Sequence, residues 1–237
     1  MHSAERPDMN SVSRGYLWPK DLARAREIQL FLARKVTIVP LNKTPRLLAA
    51  VDASFIDDTV IAVASLYEFP EISHLQDTSF KGKIPFPYIP GFLSFREGPA
   101  IIKAVKKLDR WPDLLLVDGH GIAHPRGIGI ASHIGVILNL PTIGCAKSRL
   151  IGEFREPGGE KGQWSYFYQA GESRKPIGAV LRTRRDVKPL FVSPGHLIDI
   201  ESSVEIVMKT TAGYRIPEPL RRADILSRMM KREEAGR

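Results

Sequence analysis

The chain has 237 residues, 43% of them hydrophobic, enough to bury a sizeable core; 35 lysines and arginines against 26 aspartates and glutamates give a formal net charge of +9, which favours a polyanionic partner. One cysteine, Cys145, excludes a disulfide framework and any zinc site built from paired cysteines. With no signal-peptide core and no unbroken apolar run of spanning length, the expectation is a monomeric, cytoplasmic protein with no membrane partner.

Residues 1–18 lack periodicity and read as a loose arm ahead of a single domain over 19–237. Within 20–35, Leu22, Ala25, Ile28, Gln29 and Leu32 recur at helical spacing. Two apolar runs, 47–51 and 60–66, flank the turn-forming pair Asp57-Asp58 and predict an antiparallel strand pair, extended by a third strand around 72–80. Pro85, Pro87 and Pro90 make 81–91 a stiff loop. Residues 94–108 then read as an amphipathic helix and 114–117 as a buried strand.

Strand and helix alternate from there, with a helix over 128–138 and a strand over 142–146. Further strands are expected at 166–169, 178–182 and 190–192, and closing helices at 199–210 and 218–232. The fold class is therefore α/β, a mixed central sheet with helices on both faces in three layers.

Two carboxylates break apolar strands. Asp52 interrupts L-L-A-A-V-D-A-S, and Asp118 ends L-L-L-V-D-G-H-G, where a strand meets its loop, the usual place for ligands in α/β sheets. A lone buried carboxylate is costly unless paired or holding a cation, and two on neighbouring strands repel unless a metal lies between them. A turn residue before Gly119 and a salt-bridged core acid are the structural alternatives for Asp118 and Asp52. Ser94-Phe95-Arg96-Glu97 has the form of a capping box, which would explain Glu97 as a helix cap, and Asp224 sits beside Arg221 and Arg222 as a solvated helix acid would.

After Asp118, residues 119–127 crowd glycines, two histidines and an arginine, an approach surface on which His124 and Arg126 could meet phosphate. Zinc held by His120 and His124 competes with that reading, but Gly121 and Pro125 oppose the helical register that often presents such a pair. Pro87-Tyr88-Ile89-Pro90 is either a packed turn or a preorganised wedge between bases. Lys147 follows a strand and could touch phosphate; 175–188, with Arg182, Arg184 and Arg185, is a candidate backbone-contacting stripe. Ser193-Pro194-Gly195-His196 is expected to break the chain before a helix whose N-terminus could attract an anion.

In these segments the chain resembles the endonuclease V family: V-D-A-S at 51–54, P-Y-I-P-G-F-L-S-F-R-E at 87–97, D-G-H-G-I-A-H-P-R at 118–126, C-A-K-S at 145–148, S-P-G-H at 193–196 and Y-R-I-P-E-P at 214–219. The resemblance implies a ribonuclease-H-like fold and a magnesium-dependent DNA repair endonuclease, with manganese able to substitute, that recognises deaminated bases such as deoxyinosine. The cut would fall at the second phosphodiester bond 3′ to the lesion, leaving a 3′-hydroxyl and a 5′-phosphate. By the same likeness Asp52 and Asp118 would bind the metal, Glu97 would act through its shell or water, and Asp224 would close the site. Tyr88 would wedge into the duplex; Gly91, Leu93, Gly119 and Ile130 would line a pocket for the flipped hypoxanthine; and His124 and Lys147 would lie beside the nucleic-acid backbone. An endoribonuclease for inosine-containing RNA and a non-catalytic lesion-binding protein are the other readings.

Overall fold

The protein is described by a computed structural model over residues 18–171 and 175–236. Of the expected N-terminal arm, all but Trp18 lies outside the described residues. Trp18 is packed: its indole stacks on His133 with ring centroids 5.4 Å apart and meets the edge of Phe95.

The described strands form one nine-stranded sheet, in the order β3-β2-β1-β4-β5-β9-β8-β7-β6. Strands β1 (Leu47–Ile56), β2 (Thr59–Glu68) and β3 (Ser73–Lys83) make the expected antiparallel meander, with the first turn closed by Asp57 at φ +46. Strands β4 (Leu114–Asp118) and β5 (Thr142–Ala146) add in parallel to β1, and β9 (Leu190–His196), β8 (Pro176–Leu181), β7 (Trp164–Tyr168) and the short β6 (Glu153–Phe154) return antiparallel.

Apolar residues on both faces of β1, β2 and β4 follow from layers on both sides. On one side Leu47, Ala49, Val51, Leu115 and Val117 pack against helix α2 (Leu93–Lys106) and helix α3 (Ile130–Leu138). On the other, Leu48, Ala50, Leu114 and Leu116 pack against helix α4 (Ile200–Lys209) and Leu220 of helix α5 (Glu218–Ala235). The first helix, α1 (Leu22–Ala33), is capped by Asp21, whose carboxylate accepts from the Arg24 N–H, and closes over Phe86, Phe95 and Ile128. Among the described residues, no helix is long and apolar enough to cross a membrane.

Two expectations fail in the C-terminal half. Ser193-Pro194-Gly195-His196 does not break the chain: it continues β9 to His196, Pro194 opposite Ile143 and Gly195 taking up a register irregularity against β5. The following helix has no free N-terminus for an anion, because the Asp199 carboxylate accepts the Ser202 N–H there. Nor is Arg182 part of a phosphate-contacting stripe. It is buried, its guanidinium donating to the carbonyls of Gly158, Pro157 and Val187 and pairing with Glu156 at 2.8 Å.

Candidate active site

Val51 of β1 lies beside Val117 of β4 in parallel register, so the next residues, Asp52 within β1 and Asp118 at the end of β4, come side by side. Both line one cavity, and the Ser227 hydroxyl of α5 donates to Asp52 Oδ2 at 2.9 Å. Burial and the negative charge of Asp118 push the Asp52 carboxyl up to about 6, with Asp224 adding to the rise and Ser227 and Lys147 opposing it.

Glu97 enters from α2, and its capping-box explanation fails. The helix begins at Leu93 with no side-chain cap; Ser94 lies inside it, and its Oγ bonds His133 Nδ1 at 2.8 Å. Glu97 therefore faces the same cavity as Asp52 and Asp118, where burial and those two carboxylates hold its pKa well above the ordinary glutamate value.

Arg96 opposes the rise at Glu97, and Lys147 brings a cation to the aspartates. Lys147, just past β5, places Nζ 2.6 Å from Asp118 Oδ2. Burial works against its charge, but Asp118, Asp224 and Asp52 outweigh that and raise its pKa. The lysine is itself held by Arg215, which donates to the carbonyls of Lys147 and Pro189 at 2.6 and 2.8 Å. Asp224 lies on α5 one turn before Ser227, near enough to act on Asp52, but its carboxylate pairs with Arg228 at 2.8 Å and does not line the cavity.

The cavity beside the carboxylates has a volume of about 450 Å³, and Tyr88, Ile89, Pro90, Gly91 and Leu93 form one wall of it. Tyr88 is 69% exposed, whereas Ile89 is anchored against the α1 cluster. Gly119, Ile130 and Lys147 line other parts of the wall; Pro87 does not. Gly119 adopts φ +144, and a Cβ there would stand 2.5 Å from Ile130 Cγ2, so glycine lets the chain turn out of β4 without filling the cavity.

His124 and Arg126 are not turned outward. His124 is buried, its Nε2 lies 3.0 Å from the Gly91 carbonyl and its Nδ1 accepts the Arg126 N–H, which is the neutral Nε2–H tautomer. Burial, then Arg126, lowers its pKa to about 4. Arg126 Nη2 donates to the same carbonyl at 2.7 Å. His120 meets the Ser148 carbonyl at 3.1 Å, so the two histidines serve different backbone groups.

Among the described residues, no group of three or more histidine, cysteine, aspartate or glutamate side chains stands ready to hold a metal. Asp52 and Asp118 nevertheless suit a hard divalent cation such as magnesium, which is commonly bound by one or two carboxylates and completes its octahedron with water and phosphate oxygens.

The endonuclease V family model matches residues 31–225, and the curated endonuclease V of Geotalea uraniireducens is 47% identical over 213 residues, 90% of each chain. The chain belongs to the endonuclease V family. It is therefore a nuclease, a hydrolase acting on DNA, and its sheet and helix layers are the ribonuclease-H-like arrangement of the family. The crystal structure of endonuclease V from Streptomyces avermitilis superposes with a TM-score of 0.86 at 36% identity, covering 92% of this chain and 96% of that one. Endonuclease V from Ciona intestinalis, in complex with a 24mer DNA containing an inosine followed by a ribo-adenosine, superposes with a TM-score of 0.76 at 26% identity, covering 89% of this chain and 98% of that one.

Within this family site, Ser227 and Arg215 are features that sequence reasoning missed. Ser227 looks like a helix-face serine, and only the packing of α5 on β1 puts its hydroxyl on Asp52. The Ser193-Pro194-Gly195-His196 segment also gains a function: Ser193 Oγ accepts the Gly121 N–H at 2.7 Å and the Pro194 carbonyl accepts that of Ile122 at 2.9 Å, pinning the loop that leaves Asp118.

Proposed function

We propose that the protein is a magnesium-dependent repair endonuclease that takes a deaminated purine, deoxyinosine in DNA, into the cavity beside Asp52 and Asp118. It hydrolyses the second phosphodiester bond 3′ to the lesion, leaving a 3′-hydroxyl and a 5′-phosphate. The observation carrying this reading is the junction of a carboxylate pair on neighbouring strands with a cavity lined by an exposed tyrosine on a proline-stiffened loop. The inosine-containing DNA held by the Ciona relative supports the choice of lesion.

Asp52 and Asp118 would hold the cation. When bound, it would supply Lewis-acid stabilisation of charge on the scissile phosphate and acidify the attacking water. Glu97, its carboxyl raised by burial and by both aspartates, binds a proton more tightly than an exposed glutamate and is suited to exchange one with water in the site. Lys147 carries positive charge to the cavity edge, where a phosphate can compete with Asp118 for it. Tyr88 would fill the stack vacated by the extruded base, and the cavity wall of Gly91, Leu93, Gly119 and Ile130 would receive that base. Ser227 orients Asp52, and Asp224 adds negative charge behind it.

The test is cleavage of end-labelled duplexes with and without one deoxyinosine, in magnesium and in manganese. Selective nicking of the deoxyinosine strand at the second 3′ bond is expected; equal cleavage of both duplexes, or none, overturns the reading. A ribonucleotide follows the inosine in the Ciona complex, so a matched substrate with one ribonucleotide at the cut decides between DNA and inosine-containing RNA as the better substrate.

A further inference from the structure

The loop that carries Tyr88 ends at Gly91, and the carbonyl of that residue is unusually occupied. It accepts from Gln29 Nε2 at 2.9 Å, from His124 Nε2 at 3.0 Å and from Arg126 Nη2 at 2.7 Å. A carbonyl oxygen has two lone pairs, so three donors, one of them a guanidinium, saturate it. The donors also hold one another. Arg126 Nε donates to Gln29 Oε1 at 2.6 Å, which fixes the Gln29 amide with its nitrogen toward Gly91, and the guanidinium lies over the Phe92 ring at 4.4 Å.

Gln29 is fully buried on α1 among Ala25, Ile28 and Leu32. An amide there is costly unless both ends are bonded, and both ends go to this cluster. Its target is not a neighbour in α1 but the peptide joining the tyrosine loop to helix α2, which bears Glu97. Gly91 sits at φ +80, a conformation side chains rarely adopt, and a Cβ would stand 2.9 Å from Arg126 Nη2. Residue 29 also precedes the family match at 31–225.

We propose that Gln29, with His124 and Arg126, clamps the Gly91 carbonyl so as to hold the Tyr88 loop over the base cavity, making Gln29 a positioning residue for lesion discrimination. The proposal rests on the function proposed above. The clamp sets the angle at which the loop meets α2, and so the spacing between the tyrosine that enters the duplex and the carboxylates that act on it. A loosened clamp leaves the carboxylates in place and lets the loop sample orientations that fit undamaged DNA equally well.

Gln29→Met keeps the length of the side chain and removes both bonds. Hydrogen exchange over residues 86–92 should speed up in this variant while exchange in β1 and β4 and magnesium affinity stay unchanged. The ratio of kcat/KM for deoxyinosine over undamaged duplex should fall about ten-fold, the loss expected for one strong hydrogen bond to a positioned group. Arg126→Lys, which replaces the planar fork by a point charge, should do the same and serves if Gln29→Met does not fold. Unchanged exchange over 86–92 overturns the clamp, and faster exchange with unchanged selectivity overturns its role in discrimination. Should the unmodified protein itself not prefer deoxyinosine, the functional reading fails, and exchange still decides whether the clamp exists.

Discussion

Lys147 and Asp118 form the closest ion pair of the site, 2.6 Å from Nζ to Oδ2, with the lysine's main chain held by Arg215. The lysine is thus the counter-charge of a carboxylate proposed to hold a cation, and the two cations compete for it. Lys147→Met should leave magnesium affinity, measured by calorimetry on the protein alone, equal or a few-fold tighter. Affinity for the deoxyinosine duplex should fall, and the slope of log affinity against log salt should drop by about one, as for loss of one phosphate contact. Weaker magnesium binding would show that Lys147 supports the metal site instead of opposing it.

Ser227 gives a second prediction on the same carboxylates. Its hydroxyl donates to Asp52 Oδ2 while its carbonyl accepts from Ser54 Oγ at 2.8 Å, so Ser227→Ala removes the first bond and keeps the second. Losing a donor to a metal-binding carboxylate costs about ten-fold or more in metal affinity. Magnesium titration should show that loss with little change in thermal unfolding. Threonine should restore it, and wild-type affinity in the alanine variant would remove Ser227 from the site.

These two residues mark the limit of what the sequence makes legible. Asp52 and Asp118 stand out because each ends or interrupts an apolar run, and the parallel pairing of β1 and β4 then brings them together. Local patterns also gave the meander, the parallel strands and the helix layers to within a few residues. What failed was what depends on distant partners. Ser94 has the spacing of a cap, but His133, 39 residues on, takes its hydroxyl. Arg182 sits in a basic run, yet the chain at 156–158 folds over it. Helical spacing puts Gln29 on the inner face of its helix, but neither it nor Ser227 carries any local sign of a partner, since those partners lie 62 and 175 residues away.

Arg182 supplies a third prediction. With its guanidinium gone, the carbonyls of Gly158, Pro157 and Val187 lose their donor, that of Pro157 in a buried setting, and the buried site of the side chain loses its polar network. Arg182→Met should lower the free energy of unfolding in urea by about 3 kcal/mol, as for breaking a buried polar network. The salt slope of duplex binding should not move. A reduced slope with unchanged stability would return Arg182 to the phosphate-contacting surface.

The fourth prediction concerns pH. His133, buried between Trp18 and Phe95, has its pKa pushed down to about 3 by burial and His124; His124 and His196 are pushed down to about 4. In the unfolded chain each takes up a proton near pH 6.5, so between 6.5 and 4 the unfolded state binds more protons and stability falls as pH falls. Each such imidazole contributes a loss of about 2 kcal/mol by pH 5. Asp52 acts in the opposite sense. Raised to about 6, it takes up its proton in the folded state first, returning about 1 kcal/mol over the same interval, and Glu97 shifts in the same direction. Urea unfolding of the metal-free protein should therefore show several kcal/mol less stability at pH 5 than at pH 7.5. Asp52→Asn removes one opposing acid and should steepen that loss by about 1 kcal/mol. A wild-type stability flat between these two pH values would mean that the imidazoles are protonated in the fold, and the neutral His124 that donates to Gly91 would have to be abandoned.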